Sequence, residues 1–387
     1  MKGLAAVWRV GWRVALCLVL LAWIFQSIFL SEGKATALAQ GMKWDQLGRL
    51  EQWRLAWTAG PRDLWHTIAQ VHPLALALSL FFVLATILLN VARWRLVLAV
   101  QGLDLSWGRA TGITFVAQFF NAFLLGSTGG DVIKALYAAR ETHHKKTEAV
   151  VTVFVDRLLG LWAMLLFAAL MMVPNLGLLT VRHELGAPAL AILLMLGGAT
   201  VVLGVAFWGG VSKRFPRARH WLRKFPKGIY LERSLDSCRH FGRNKTFLAK
   251  AIGLSLLVNV ACVLQMIALS KGAGATVSPM VWLVVVPMIF CISALPITPS
   301  GLGVRENLFV LMLAVPEIGL PKTTALTLSL LAYAGSLFWS AVGGIVYLGL
   351  KKKQHLEEVT QEEPLAPAED YQGMNNSGDA AVSPESR

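Results

Sequence analysis

Phe123-Leu-Leu-Gly-Ser-Thr-Gly-Gly-Asp-Val-Ile-Lys134 and Leu295-Pro-Ile-Thr-Pro-Ser-Gly-Leu-Gly-Val-Arg-Glu306 interrupt the apolar part of this chain, one in each half. Each is rich in Gly or Pro, adjoins hydrophobic sequence, and carries an acid and a base within a few residues. Backbone amides left unpaired in hydrocarbon cost several kcal/mol, so irregular chain at membrane depth survives only inside protein or along a cavity. A charge at that depth is also costly and marks a pathway or a site. Matching breaks in the two halves of a membrane protein point to a substrate site between them.

The setting of these breaks is a membrane. The chain is 56% hydrophobic and 15% charged, with a mean hydropathy of +0.58, which implies an all-α polytopic membrane protein and excludes a soluble domain with a large core. The net charge of +14 is read by position. Most of the excess lies between Lys213 and Lys250, opposed only by Glu232 and Asp236. In a soluble protein such a stretch would suggest nucleic acid. In a membrane protein it marks a cytoplasmic loop, here about 211–247, and nucleic acid is not expected as a partner. Cys17, Cys262 and Cys291 lie in apolar segments and Cys238 in the basic loop, with no metal-ligand or disulfide spacing. His143-His144 stands in a polar connection. No metal or other cofactor is expected.

Apolar segments fall at about 10–30, 74–92, 108–127, 148–173, 187–209, 248–270, 278–298 and 323–349. Lys2, Arg9 and Arg13 precede the first, whose run from Val14 to Leu30 exceeds a signal-peptide core and reads as a retained span, although Ala37-Leu-Ala39 has the small-residue pattern of a cleavage site. Positive charge orients the rest. The basic N-terminus, Arg93, Arg95, Arg109, Lys145, Lys146, the basic loop and Lys351-Lys352-Lys353 all belong on the cytoplasmic side. If every segment crossed, the basic loop would be outside. The conflict disappears if 108–140 enters from the cytoplasm, turns at Gly126–Gly130 and returns, and 278–316 does the same from outside, turning at Pro296–Gly303. The expectation is six spans plus two re-entrant hairpins in an inverted repeat, with halves of about 10–173 and 187–349 and both termini cytoplasmic. The transmembrane domain then covers about 1–350, in the plasma membrane.

Two flanking pieces complete the organisation. In the external connection 31–73, Trp44, Leu47, Leu50, Trp53 and Trp57 recur at near-helical spacing, as in an interfacial helix or a packed cap. Residues 351–387 contain few large apolar residues and are expected to be a disordered cytoplasmic tail.

Several short motifs occur in order: Arg93-Trp94-Arg95, Asn121, Gly129-Gly130-Asp131 with Lys134, Val155-Asp156-Arg157-Leu158-Leu159-Gly160, and Gly301-Leu-Gly-Val-Arg305-Glu306. Together, over about residues 10–350, they resemble the flippase-like family named for the transmembrane region of lysylphosphatidylglycerol synthase. Lys134 stands where that family usually has Arg, so it would meet a phosphate as a point charge. The resemblance implies movement of a lipid, or of a lipid-linked intermediate such as a polyprenyl-linked one, between leaflets. It brings no synthase chemistry, because no polar stretch here approaches the size of a domain.

The residues themselves suit that reading. Glycines at a helix break let backbone amides approach a ligand, and a half-helix N-terminus carries partial positive charge. Gly129, Gly130 and Asp131 open a helix bearing Lys134; Gly301 and Gly303 open one bearing Arg305. Two such ends from opposite leaflets suit an anionic phosphate headgroup. The candidate substrate-binding set is therefore Asn121, Gly129, Gly130, Asp131, Lys134, Asp156, Arg157, Gly301, Gly303, Arg305 and Glu306. A structural reading stands beside it: Asp131, Asp156 and Glu306 neutralise Lys134, Arg157 and Arg305, and the glycines serve close packing. Anionic inner-leaflet lipids are expected at the basic loop. Two other classes remain open. A membrane glycosyltransferase using a lipid-phosphate donor would need an external carboxylate, for which Asp45, Glu51 and Asp63 are available. A non-transporting accessory subunit would need no polar residues at the breaks. No catalytic motif rises above background, and an enzyme is not expected.

Overall fold

A computed structural model describes residues 2–123, 129–141, 146–177, 183–207, 241–242, 244–295, 297–298, 301–315 and 318–361. Most of the basic stretch, much of the first break and the tail beyond 361 lie outside the described residues. The described chain is helical without strands: α1 Lys2–Ala39, α2 Arg49–Ala69, α3 Pro73–Val100, α4 Trp107–Phe123, α5 Gly129–Glu141, α6 Lys146–Met172, α7 His183–Phe207, α8 Lys245–Gly272, α9 Pro279–Ser293, α10 Val304–Leu313 and α11 Lys322–Gln361. Residues 1–346 form one compact unit; Tyr347–Arg387 forms a second, holding the last turns of α11.

Local chemistry starts these helices where they start. Pro73 and Pro279 occupy the first helical positions of α3 and α9, where a missing N–H costs nothing. His72 Nδ1 accepts the Leu74 N–H at 3.2 Å, Asn244 Oδ1 accepts that of Phe247 at 3.0 Å, and Glu51 Oε2 accepts that of Gly48 at 3.2 Å. Among the described residues, five stretches are long and apolar enough to cross a bilayer: Pro73–Val100, Glu148–Asn175, Gly186–Phe207, Lys245–Gly272 and Lys322–Gly349. Five such helices make this a multi-span membrane protein.

The order of elements repeats. α1, α3, the short pair α4–α5 and α6 are followed by α7, α8, the short pair α9–α10 and α11, with α2 inserted in the first half. α3 packs extensively on α8, one from each half. Reciprocal polar ties stitch the pair: Arg93 Nη1 of α3 donates to Ser255 Oγ of α8 at 3.0 Å, and Gln265 Nε2 of α8 donates to Ser79 Oγ of α3 at 3.0 Å. The short pairs exchange partners between halves. α9 packs on α6, while α4 meets α11, where a Cβ on Gly343 would lie 2.0 Å from the Phe115 carbonyl oxygen. Only glycine permits that approach.

α2 packs back along α1. Trp57 sets its ring edge-on to Phe29 at 5.2 Å and donates to Gln26 Oε1 at 2.9 Å; Gly33 touches the Ala56 backbone. Leu50, Trp53 and Trp65 remain exposed. The region 31–73 is thus helical up to Ala39, as the end of α1, and again over Arg49–Ala69, and Trp44 begins a separate short turn between them.

Candidate functional site

The first break joins the end of α4 to the start of α5. Asn121 Oδ1 accepts the Gly130 N–H at 2.8 Å, and a Cβ on Gly130 would lie 1.9 Å from the Ala117 carbonyl oxygen. Gly130 is therefore required for the two helices to touch. One turn later, buried Lys134 places Nζ 3.3 Å from Asp156 Oδ2 and 4.2 Å from the centre of the Trp94 ring. Arg93 Nε donates to Asp156 Oδ1 at 2.8 Å. Its guanidinium rests on Gly160, where a Cβ would lie 2.9 Å from both Nη atoms. These three charged side chains are about 8% exposed, so each charge depends on its partners. Beside them, Arg157 Nε lies 3.5 Å from Asp131 Oδ2, half in the open.

These pairings differ from the expected ones. Asp156 neutralises Arg93 and Lys134 rather than Arg157, and Asp131 faces Arg157 rather than Lys134. On α6, Asp156 is turned to Arg93 and Lys134, and Arg157 to Asp131. Asp131 and Lys134, three apart on α5, share a face and meet successive residues of α6. Arg93 is also not the turn residue its sequence position suggested. α3 runs on to Val100, which leaves Arg93 buried well inside the helix.

The second break is a tight turn. Gly301 and Gly303 take φ of +71° and +81°, left-handed conformations that disfavour other residues. Glu306, fully buried, accepts the Gly303 N–H through Oε2 at 2.6 Å. Its Oε1 receives Arg305 Nη2 and the Ser329 hydroxyl. Arg305 Nε donates to Ser329 Oγ at 3.2 Å, and its guanidinium lies 4.6 Å from the centre of the Tyr333 ring. The Arg305–Glu306 pairing matches the structural reading.

One amide at each helix start has a side-chain partner: Asn121 accepts from Gly130 and Glu306 from Gly303. Beside these helix starts lies a cavity. A space of about 290 Å³ opens between the ends of the two short pairs, bordered by Gln118 and Asn121 of α4, Phe290 and Ala294 at the end of α9, Arg305 of α10 and Tyr333 of α11. Ser293 also borders it, and its buried hydroxyl has no partner among the described residues. A second space of about 220 Å³ shares Phe290 and Ala294 and is bordered on its far side by Arg93, Arg157 and Gly160.

The candidate set therefore divides. Asn121 and Arg305 meet at the first cavity, and Arg157 reaches the second. Gly129 begins α5, and Gly130, Gly301 and Gly303 shape the turns. Asp131, Lys134, Asp156 and Glu306 serve as charge partners. Arg93, Phe290 and Tyr333 belong to the site and escaped sequence reasoning. Arg93 had a signal: Asp156, deep in an apolar helix, required a cation from elsewhere. Of the carboxylates considered for catalysis, Glu51 caps α2 and Asp63 borders a separate space of about 480 Å³ with Arg62 and His66. Among the described residues no cluster of His, Cys, Asp or Glu could hold a metal ion.

Comparison with known proteins adds a family. Residues 51–343 match the lysylphosphatidylglycerol synthase TM region. A relative from Methanothermobacter thermautotrophicus, described as a UPF0104 membrane protein, is 24% identical over 286 residues, covering 67% of this chain and 79% of its own.

Proposed function

This chain belongs to the family of the lysylphosphatidylglycerol synthase transmembrane region, and we propose that it moves a lipid or lipid-linked intermediate with an anionic phosphate headgroup between membrane leaflets. The observation that carries the proposal is the cavity where the two breaks meet, with Asn121 from one and Arg305 from the other. A guanidinium in a confined space is suited to the fork geometry of phosphate oxygens. Phe290, Ala122 and Ala294 offer an apolar wall. The unpartnered Ser293 hydroxyl offers a further polar contact. At about 1.5 Å per residue, α4, α5, α9 and α10 are roughly 15–26 Å long. That is shorter than the hydrocarbon core of about 30 Å, which supports two re-entrant hairpins. The long helices then supply six spans in an inverted repeat, with both termini and the basic stretch on the cytoplasmic side of the plasma membrane. The basic stretch would rest on anionic inner-leaflet lipid. Polar groups gathered between breaks suit transport better than catalysis at one membrane face, and we read the protein as a transporter without enzymatic activity.

The test is reconstitution into vesicles carrying fluorescent lipids of differing headgroup, with a membrane-impermeant quencher reporting passage between leaflets. Lipids with anionic phosphate headgroups should equilibrate faster than in protein-free vesicles. Arg305→Ala alone would strand the buried Glu306, at a cost of about 3–5 kcal/mol, so the informative variant is Arg305→Gln with Glu306→Gln. It should remain folded and lose transport. If the wild-type protein accelerates no lipid, the proposal fails.

A further inference from the structure

The second cavity has an electrostatic imbalance. Arg93 and Arg157 border it, and with their ion-pair partners they form a cluster of three cations, Arg93, Lys134 and Arg157, and two carboxylates, Asp131 and Asp156, a net excess of one positive charge among the described residues. Lys134 is turned away, held between Asp156 and Trp94. Arg93 and Arg157 border the space itself. The two described hydrogen bonds of Arg93, to Asp156 and Ser255, engage two of the five N–H donors a guanidinium carries. Asn90 and Asn259 border the same space; each spends one amide hydrogen on its own helix, to Thr86 O and Ser255 O at 2.8 Å, and carries a second. An unbalanced charge in a low-dielectric setting is costly, and a bound anion removes the cost. The polar side chains on this lining carry donors and include no carboxylate, and the carboxylates nearby, Asp131 and Asp156, already have cationic partners.

We propose that the 220 Å³ space is a second phosphate site, in which Arg157 and Arg93 hold the oxyanion of a phosphate-bearing lipid one side chain away from the Arg305 cavity. Phe290 and Ala294 border both spaces. A headgroup leaving Arg305 would thus find a second cationic clamp beside residues the two spaces share. Arg157, with a half-exposed side chain, is the contact a ligand reaches first; Arg93 is the fixed, buried end. The lipid nature of the ligand rests on the transport reading. Its phosphate chemistry rests on the charges and donors lining this space.

Binding, measured on the detergent-solubilised full chain, separates the two. The probes are short-chain phosphatidic acid, the diacylglycerol of the same chains, and inorganic phosphate, each titrated against intrinsic tryptophan fluorescence. Phosphatidic acid should bind at least tenfold more tightly than diacylglycerol. Arg157→Gln should weaken it about tenfold, and Arg157→Lys by less. Gly160→Ala, whose methyl group displaces the Arg93 guanidinium without removing a charge, should also weaken it. Inorganic phosphate displacing the lipid assigns the site to the phosphate group alone; failure to displace it assigns the site to the lipid headgroup with its chains. The proposal is overturned if folded Arg157→Gln and Gly160→Ala both bind phosphatidic acid as the wild type does. If vesicle transport stays intact with that result, the transport reading survives it. If binding depends on Arg157 while no lipid is moved, the site stands and transport falls.

Discussion

Replacing Asp156 by Asn tests whether the buried charge cluster holds the helices together. Asp156 Oδ1 lies 2.8 Å from Arg93 Nε and Oδ2 lies 3.3 Å from Lys134 Nζ, with all three side chains about 8% exposed. At an effective dielectric constant of about 20, the gross attractions are roughly 6 and 5 kcal/mol, opposed by the desolvation of all three groups. Asn keeps the shape and one acceptor but removes the charge, leaving Arg93 and Lys134 to repel each other. Removing one partner of a buried pair typically costs about 3–5 kcal/mol. That is a roughly hundred- to several-thousand-fold change in the unfolding equilibrium. The assay is denaturant unfolding in mixed micelles, followed by tryptophan fluorescence. A second change fixes the cause. In the Asp156→Asn background, Lys134→Met removes a stranded cation and should restore stability, with a coupling of about 0.5–3 kcal/mol. In the wild-type background the same Lys134→Met should destabilise. If Asp156→Asn unfolds like the wild type, or if Lys134→Met lowers stability equally in both backgrounds, the electrostatic account of this cluster is refuted.

Three further outcomes follow from other parts of the molecule. Gly301→Ala forces a side chain into the left-handed region, at about 1–2 kcal/mol, and brings its methyl group 2.9 Å from the Ser293 carbonyl oxygen. It should lower the thermal midpoint clearly, whereas Gly253→Ala, with open space around it, should change stability by no more than about 1 kcal/mol. Glu32, beyond the apolar run that ends at Leu30, has its carboxyl pushed up by burial and by the negative charge of Asp63, against a hydrogen bond from Thr323. The native state then holds this proton more tightly than the unfolded chain. Its stabilising effect is full below the ordinary carboxylate range and is lost as pH rises through the elevated value. Asp63→Asn should flatten that part of the stability-versus-pH curve, and an unchanged slope would rule out the pairing. In a variant lacking Cys17, Cys238, Cys262 and Cys291, cysteines at Asp104 and Lys271 should label from opposite sides of the membrane. Labelling of both from one side would exclude the proposed topology.

Much of the architecture was legible in the chain. Hydrophobic runs of about 20 residues must become helices in a bilayer, because no other segment satisfies its own backbone there. Gly301 and Gly303 announced a turn, and the helix bearing Arg305 begins directly after it. The neighbouring acid at Glu306 was also readable as the partner of Arg305, because the two sit on the same turn. The other charge pairs were not readable. Arg93 lies 63 residues from Asp156 and at the edge of an apolar run, where a buried arginine and a loop arginine look identical in sequence. Its role depends on how far α3 extends and how it is rotated against α6 and α8. Phe290 and Tyr333 read as ordinary apolar-helix residues, and became cavity walls only through the meeting of α9 and α11 with the end of α4. Sequence alone determined which segments form helices and where they break, since propensity, hydropathy and backbone satisfaction are local. The tertiary structure decided which charges share a partner and where space is left, since buried electrostatics and packing depend on the relative rotation of helices distant in the chain.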